Sequence, residues 1–186
     1  MMPDNLDQVR ARALCLFDEA AVEAALDRMA AGISARLSNS NPLILCVMSG
    51  GLIITGHLAT RLHFPLQMDY IHATRYQNTT RGKELHWKAM PALPLAGRVV
   101  LVVDDILDEG VTLRRILDWC HEQQASEVYS AVLVDKQHDR KHSALKADFT
   151  GLEVDDHYLF GYGMDYKGYL RNCPGIFAVH PDDLSP

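Results

Sequence analysis

The sequence predicts an α/β domain built on a central, mostly parallel sheet flanked by helices, with a small subdomain appended toward the C-terminal end. Three observations carry this. The segment "RVVLVVDD", residues 98–105, is apolar on both faces, the pattern of a parallel strand covered by helices on each side. Behind it, Leu113, Ile116, Leu117 and Cys120 recur at helical spacing and "EVYSAVLV" supplies a second apolar strand, so strand, helix, strand implies a parallel pair. From residue 148 on, the pattern breaks into short strand-like pieces, "DFTGLEV", "YLFGYG" and "IFAV", separated by glycines. With no internal repeat and no linker-like stretch, residues 1–186 are expected to form one domain.

The other elements follow in order. In "DEAAVEAALDRMAAGISARL", Val22, Leu26, Met29, Ile33 and Leu37 share one helical face and Asp18 stands at the N-cap. N-terminal helices over residues 5–38 are therefore expected, packing on the core or at a subunit contact. Pro42 introduces "LILCVM", a buried strand that runs into the turn Ser49-Gly50-Gly51, with a helix from Leu52 to Leu62 behind it. "LQMDYIHA" alternates as a half-buried strand. The polar, aperiodic "TRYQNTTRGKE" after it reads as a long mobile loop over residues 74–84.

Composition excludes several classes. A chain that is 48% hydrophobic and 23% charged is ordinary globular material. Its net charge of −6 opposes nucleic-acid binding, and no Lys/Arg run compensates locally. Cys15, Cys46, Cys120 and Cys173 are scattered without a C-x-x-C pair, so reduced, mostly buried thiols are expected. "MMPDNLDQVR" lacks the basic and apolar regions of a signal peptide, and no apolar run approaches the roughly 18 residues of a membrane span. A soluble cytoplasmic protein with no membrane partner is the expectation.

The chemistry concentrates in "LVVDDILDEGVTLRR", where Asp104, Asp105, Asp108 and Glu109 fall at a strand-to-helix junction. Ligands of open parallel sheets collect beyond the carboxyl ends of the strands, which is where Asp104 and Asp105 are placed. The turn through Gly110 into a helix near Thr112 converges the amides of residues 109–112 at the positive end of the helix dipole, a nest for phosphate. No lysine follows the glycine as in a Walker loop, since Val111 precedes Thr112, so a monophosphate fits better than a triphosphate. Adjacent carboxylates beside such a nest suit vicinal hydroxyls or a hard cation, and phosphate plus diol spells ribose 5-phosphate. A plain helix cap accounts for one carboxylate only.

"VVLVVDDILDEGVTL" closely resembles the 5-phosphoribosyl diphosphate signature of the type I phosphoribosyltransferases. Further likenesses are "VMSGGL" to the pyrophosphate loop, "DYIHATRY" to the entry of the mobile lid, "LVDK" to the purine lysine, and "FGYGMDY" to the metal-side motif of hypoxanthine-guanine members, bacterial ones above all. The resemblance implies the type I phosphoribosyltransferase fold with its hood subdomain and lid. It also implies transfer from 5-phosphoribosyl 1-diphosphate to hypoxanthine and/or guanine with Mg²⁺, in a homodimer or homotetramer.

Residue by residue, the resemblance gives Asp104 and Asp105 the ribose hydroxyls and Mg²⁺, and gives Glu109, Gly110, Val111 and Thr112 the 5′-phosphate. Asp108 faces the purine and accepts its N7 proton, with Glu109 as the rival base. Ser49, Gly50 and Arg171 take the diphosphate, Arg75 and Tyr76 belong to the lid, and Asp165 ligates a second Mg²⁺. Tyr158 stacks on the base, Lys136 donates to its 6-oxo group and the Leu159 backbone meets the ring edge; without the resemblance Tyr158 reads as a core aromatic. This sequence departs from the family's usual residues at Ser49, Arg75, Glu109 and Val111. His138 and His142 have the spacing of a metal pair, but in the basic segment "KQHDRKHSALK" they are expected to be solvated. Alternatives are a nucleotide-sensing regulator on the same fold and a xanthine-preferring transferase.

Overall fold

A computed structural model describes residues 5–75, 85–141 and 145–184, excepting the side chains of Arg75 and Leu85. Helix α1 (Leu6–Arg12) is followed by strand β1 (Leu14–Asp18), helix α2 (Glu19–Leu37), strand β2 (Leu43–Val47), helix α3 (Gly51–Ala59), and strands β3 (Gln67–Arg75), β4 (Leu85–Ala89) and β5 (Val99–Leu107). Helix α4 (Val111–Glu122) then leads to β6 (Glu127–Gln137), β7 (Phe149–Asp155), β8 (Leu159–Phe160) and β9 (Gly175–Ala178). The main sheet runs β4-β3-β2-β5-β6-β7. Its pairings are parallel apart from β3 with β4, so the mostly parallel α/β class holds.

Strand β5 is apolar on both faces because both are covered. Leu101 and Val103 pack with Val22, Leu26 and Ile33 of α2 and with Ile54 and Leu58 of α3. Val100 and Val102 pack on the opposite face with Leu113, Ile116 and Cys120 of α4. The Asp18 carboxylate caps α2 by accepting from the Ala21 amide at 2.9 Å, and Val22, Leu26, Met29, Ile33 and Leu37 are all buried. Cys46, Cys120 and Cys173 are buried and unpaired, as expected of reduced thiols, while Cys15 is exposed.

Residues 5–38 are not helical throughout. Strand β1 separates the two helices and joins β9 and β8 in a second, antiparallel sheet, β1-β9-β8. That sheet has a core of its own, in which Val9, Phe160, Tyr166, Cys173 and Val179 are buried together. Strand β4 is a further element beyond the sequence expectation, an antiparallel edge whose Trp87 meets Trp119 of α4 with ring centroids 5.8 Å apart. Helix α3 ends at Ala59 rather than Leu62. Of "YLFGYG", only Leu159 and Phe160 are strand, because Gly161 and Gly163 take φ of +105° and +110° and turn the chain. No helix among the described residues is long and apolar enough to cross a membrane.

Candidate active site

Strand β2 stays in register with β5 only as far as Cys46 opposite Val103, whereas β5 continues beside β6 to Leu107. Asp104 and Asp105 therefore outrun β2 and face the turn after it. That turn contains a cis peptide between Met48 and Ser49, and Gly50 precedes the first residue of α3. Beyond β5, Gly110 adopts φ +81° and starts α4, aiming the helix N-terminus into the same space. Ser49, Gly50, Asp104, Asp105, Asp108, Gly110, Thr112 and Arg171 all line this cavity of 410 Å³.

A second cavity of 290 Å³ shares Asp105, Ile106 and Asp108 with the first and adds Lys136, Tyr158, Leu159, Met164 and Asp165. Tyr158 is not a core aromatic. It is 46% exposed, held edge-on to Tyr166, and presents its ring to the cavity. Leu159 is buried, fixed by its pairing with Ala178.

The carboxylates differ by environment. Burial holds the Asp104 carboxyl well above the usual carboxylate range, and the negative charge of Asp105 adds to it. Asp105 is also pushed up by burial, partly offset by a hydrogen bond with Asp104 and by the Arg171 charge. Arg171 is the central cation: it pairs with Asp165 at 2.5 Å, lies 4.0 Å from Asp105, and donates to the Gly163 carbonyl. Asp165 also accepts from the Gly168 amide at 2.6 Å. For Asp108, burial pushes upward, but a hydrogen bond from His138 and the charge of Lys136 outweigh it, so its carboxyl lies below the ordinary value. The Lys136 ammonium sits 3.2 Å from Asp108 and 3.6 Å from Asp156.

Two glycines explain how the segments come so close. A Cβ on Gly50 would stand 2.2 Å from the Asp105 Oδ2, and a Cβ on Gly163 would stand 2.1 Å from the Gly50 carbonyl oxygen. The Tyr162 hydroxyl anchors the neighbouring residue by donating to Glu23 of α2 at 2.6 Å.

Several expectations need adjusting. Glu109 and Val111 lie at the start of α4, and neither is among the residues that line the two cavities. Arg75 ends β3, while Tyr76 and the rest of the expected lid to residue 84 lie outside the described residues, as does His142. His138 is not solvated: its side chain is 5% exposed and its Nε2 lies 2.6 Å from the Asp108 Oδ1. Sequence reading also missed Ile106, Met164 and Asp156. The first two sit inside motifs it did pick out, whereas nothing local marks Asp156 as a partner of Lys136.

An open parallel sheet with its cavities outside the carboxyl ends of β2, β5 and β6 defines a ligand-binding α/β protein of the doubly wound class. The family described as "phosphoribosyl transferase domain" matches residues 15–167, and the chain belongs to it. It is 29% identical over 183 residues to the hypoxanthine-guanine phosphoribosyltransferase of Bacillus subtilis, covering 97% of each chain. Identity is also 29% over 175 residues with the hypoxanthine-guanine-xanthine phosphoribosyltransferase of Tritrichomonas foetus, covering 94% of this chain and 92% of that one. The crystal structure of a hypoxanthine phosphoribosyltransferase from Staphylococcus aureus has the same fold, with a TM-score of 0.90 at 21% identity over 99% of this chain and 100% of the other.

Proposed function

We propose that the chain is a purine-salvage enzyme that converts hypoxanthine and/or guanine and 5-phosphoribosyl 1-diphosphate to the nucleoside 5′-monophosphate and diphosphate. The observation that carries this is the meeting of two cavities at Asp105, Ile106 and Asp108, one lined by the acids, the Ser49–Gly50 turn and the start of α4, the other by Lys136, Tyr158 and Leu159. The activities named for the Bacillus and Tritrichomonas relatives support the same reading.

In this reading the 5′-phosphate rests on the N-terminus of α4, where Gly110 and Thr112 line the cavity. Asp104 and Asp105 accept from the ribose hydroxyls, and the Ser49–Gly50 turn with Arg171 receives the diphosphate. The base lies on Tyr158, beside Leu159. Lys136 turns from Asp108 toward the 6-oxo group. As purine N9 bonds to ribose C1, the C1–O bond breaks and its electron pair leaves with the diphosphate. Asp108, held ionised by the His138 hydrogen bond and the Lys136 charge, takes the N7 proton. Positioning and preorganised charge account for most of the acceleration.

Mg²⁺ suits Asp104 and Asp105, and a second Mg²⁺ suits Asp165. Burial holds the first two above the ordinary carboxylate range, and the charge of Asp105 raises Asp104 further, a cost that a hard cation with oxygen ligands relieves. When bound it supplies neutralising charge to the diphosphate.

The test is one assay with Mg²⁺ and 5-phosphoribosyl 1-diphosphate against hypoxanthine, guanine, xanthine, adenine and uracil. Turnover of a 6-oxopurine is expected. Turnover confined to adenine or uracil would overturn the base assignment, and none with any base would overturn the transferase reading. A homodimer or homotetramer is part of the proposal. Exposed Leu52, Met68 and Tyr70 lining an apolar cavity of 350 Å³ support it, and sedimentation showing only monomer would refute it.

A further inference from the structure

Among the described residues, His138 contacts Asp108 directly and has no task in the proposed reaction. Its Nδ1 accepts from the Arg140 amide at 3.0 Å, so the ring proton sits on Nε2 and is donated to the Asp108 Oδ1 at 2.6 Å. Lys136 approaches the other carboxylate oxygen, Oδ2, at 3.2 Å. Each oxygen of Asp108 thus has its own donor, and the plane of the carboxylate is set by two groups from β6 and the turn after it. Arg140 completes the arrangement through a bidentate pair with Asp156 at 2.6 and 2.8 Å, and Asp156 in turn faces Lys136. The donor atoms of Asp108, His138 and Asp156 lie within 4.8 Å of one another, a spacing a metal ion could use. Lys136 already supplies the positive charge between the two carboxylates, so the cluster reads as a hydrogen-bonded brace.

We infer that His138 is a positioning residue for Asp108: its Nε2–H fixes the orientation of the carboxylate that takes the purine proton. This rests on the proposed transferase reading. When the base arrives and Lys136 turns to the 6-oxo group, Asp108 loses one of its two donors at the moment its geometry matters most. His138 stays, because its other nitrogen is tied to the backbone and its side chain is almost fully buried. The titratable and charged groups that face Asp108 in the free protein are the Lys136 ammonium and the His138 imidazole, with Asp105 across the shared cavity wall and the Asp156–Arg140 pair behind Lys136.

The test compares His138→Leu, which removes the donor, with His138→Gln, whose side-chain amide returns an N–H near the same place. In the Leu variant kcat is expected to fall about 10- to 100-fold, the cost of a catalytic group held out of place, with KM for 5-phosphoribosyl 1-diphosphate unchanged. The acid limb of its kcat profile should move to higher pH, because a base with a raised pKa is protonated sooner as pH falls. Gln is expected to recover most of both. A folded Leu variant with wild-type kcat and acid limb, or a folded Gln variant as impaired as Leu, would overturn the inference. The carboxyl ¹³C titration of Asp108 in the free protein needs no substrate: its midpoint should rise in the Leu variant, and an unchanged midpoint overturns the assignment. Should the wild-type protein turn over no base at all, the transferase reading fails while this titration still decides the role of His138.

Discussion

Gly50 is the position at which a single methyl group separates stability from activity. Its φ of −61° and ψ of −48° are ordinary right-handed values, so no backbone demand requires glycine there. On conformational grounds alone, alanine would stabilise the protein by about 0.5–1 kcal/mol. The contacts decide otherwise. The new Cβ would stand 2.2 Å from the Asp105 Oδ2 and 2.5 Å from its Cγ, where ordinary contact begins at 3.4 Å, so the carboxylate must move by about 1.2 Å. Overpacking of this kind costs about 1–3 kcal/mol, which exceeds the gain in most of that range, so a Tm lower by a few degrees is expected for Gly50→Ala. The larger effect is on turnover. In the proposed reaction Asp105 aligns the sugar, and a displacement near 1 Å of such a group costs about 100-fold in kcat/KM. Gly56→Ala in the same helix is the control, because its Cβ would meet nothing within 4 Å and should stabilise the fold by about 0.5–1 kcal/mol with turnover retained. Steady-state kinetics and thermal melts on the two variants suffice. A Gly50→Ala protein with wild-type kcat/KM would show that Asp105 need not stay where the structure places it.

Asp108→Asn removes the proton acceptor but keeps its shape, so kcat should fall about 10²–10⁴-fold, while Glu109→Gln should cost far less. The reverse order in steady-state assays would move the base by one residue. Asp104, whose folded carboxyl lies above its unfolded value, contributes stability that is complete below the unfolded pKa and lost as pH rises through the folded one. Asp104→Asn should therefore raise the Tm of the free protein at neutral pH and flatten its decline above the ordinary carboxylate range. A Tm that falls at pH 7 would contradict this. Lys136→Met leaves Asp108 and Asp156 facing each other without their shared cation, and the KM for the base should rise while that for 5-phosphoribosyl 1-diphosphate holds.

What could be read in advance follows from where water is excluded. Strands β2, β5 and β6 announce themselves because both faces are buried and their apolar runs are unbroken. Strands β1 and β4 are five-residue edges, and β1 is exposed or half-buried along its whole length, so little in either sequence separates strand from loop. The acidic loop stood out because the phosphate and diol recognition proposed for it needs specific residues at short spacing. The brace on Asp108 was not, since His138 lies thirty positions away among charged neighbours that make any histidine look solvated.

The glycines show the same limit from the other side. "SGG" reads as a local turn and "YLFGYG" as a strand-like piece, and at Gly163, with φ of +110°, the chain turns instead. Gly50 needs no turn conformation, and the reason for glycine there lies in two other segments. Asp105 of β5 fills the place of its Cβ, and Gly163 packs on its carbonyl oxygen. Three stretches separated by more than fifty residues each are thereby stacked at the width of a bare backbone. In that stack the Asp105 carboxylate, the Ser49–Gly50 turn and the loop carrying Asp165 cannot shift independently. A side chain at either glycine would loosen all three together, so in the proposed reaction ribose, leaving group and cation are aligned by the same two missing methyl groups.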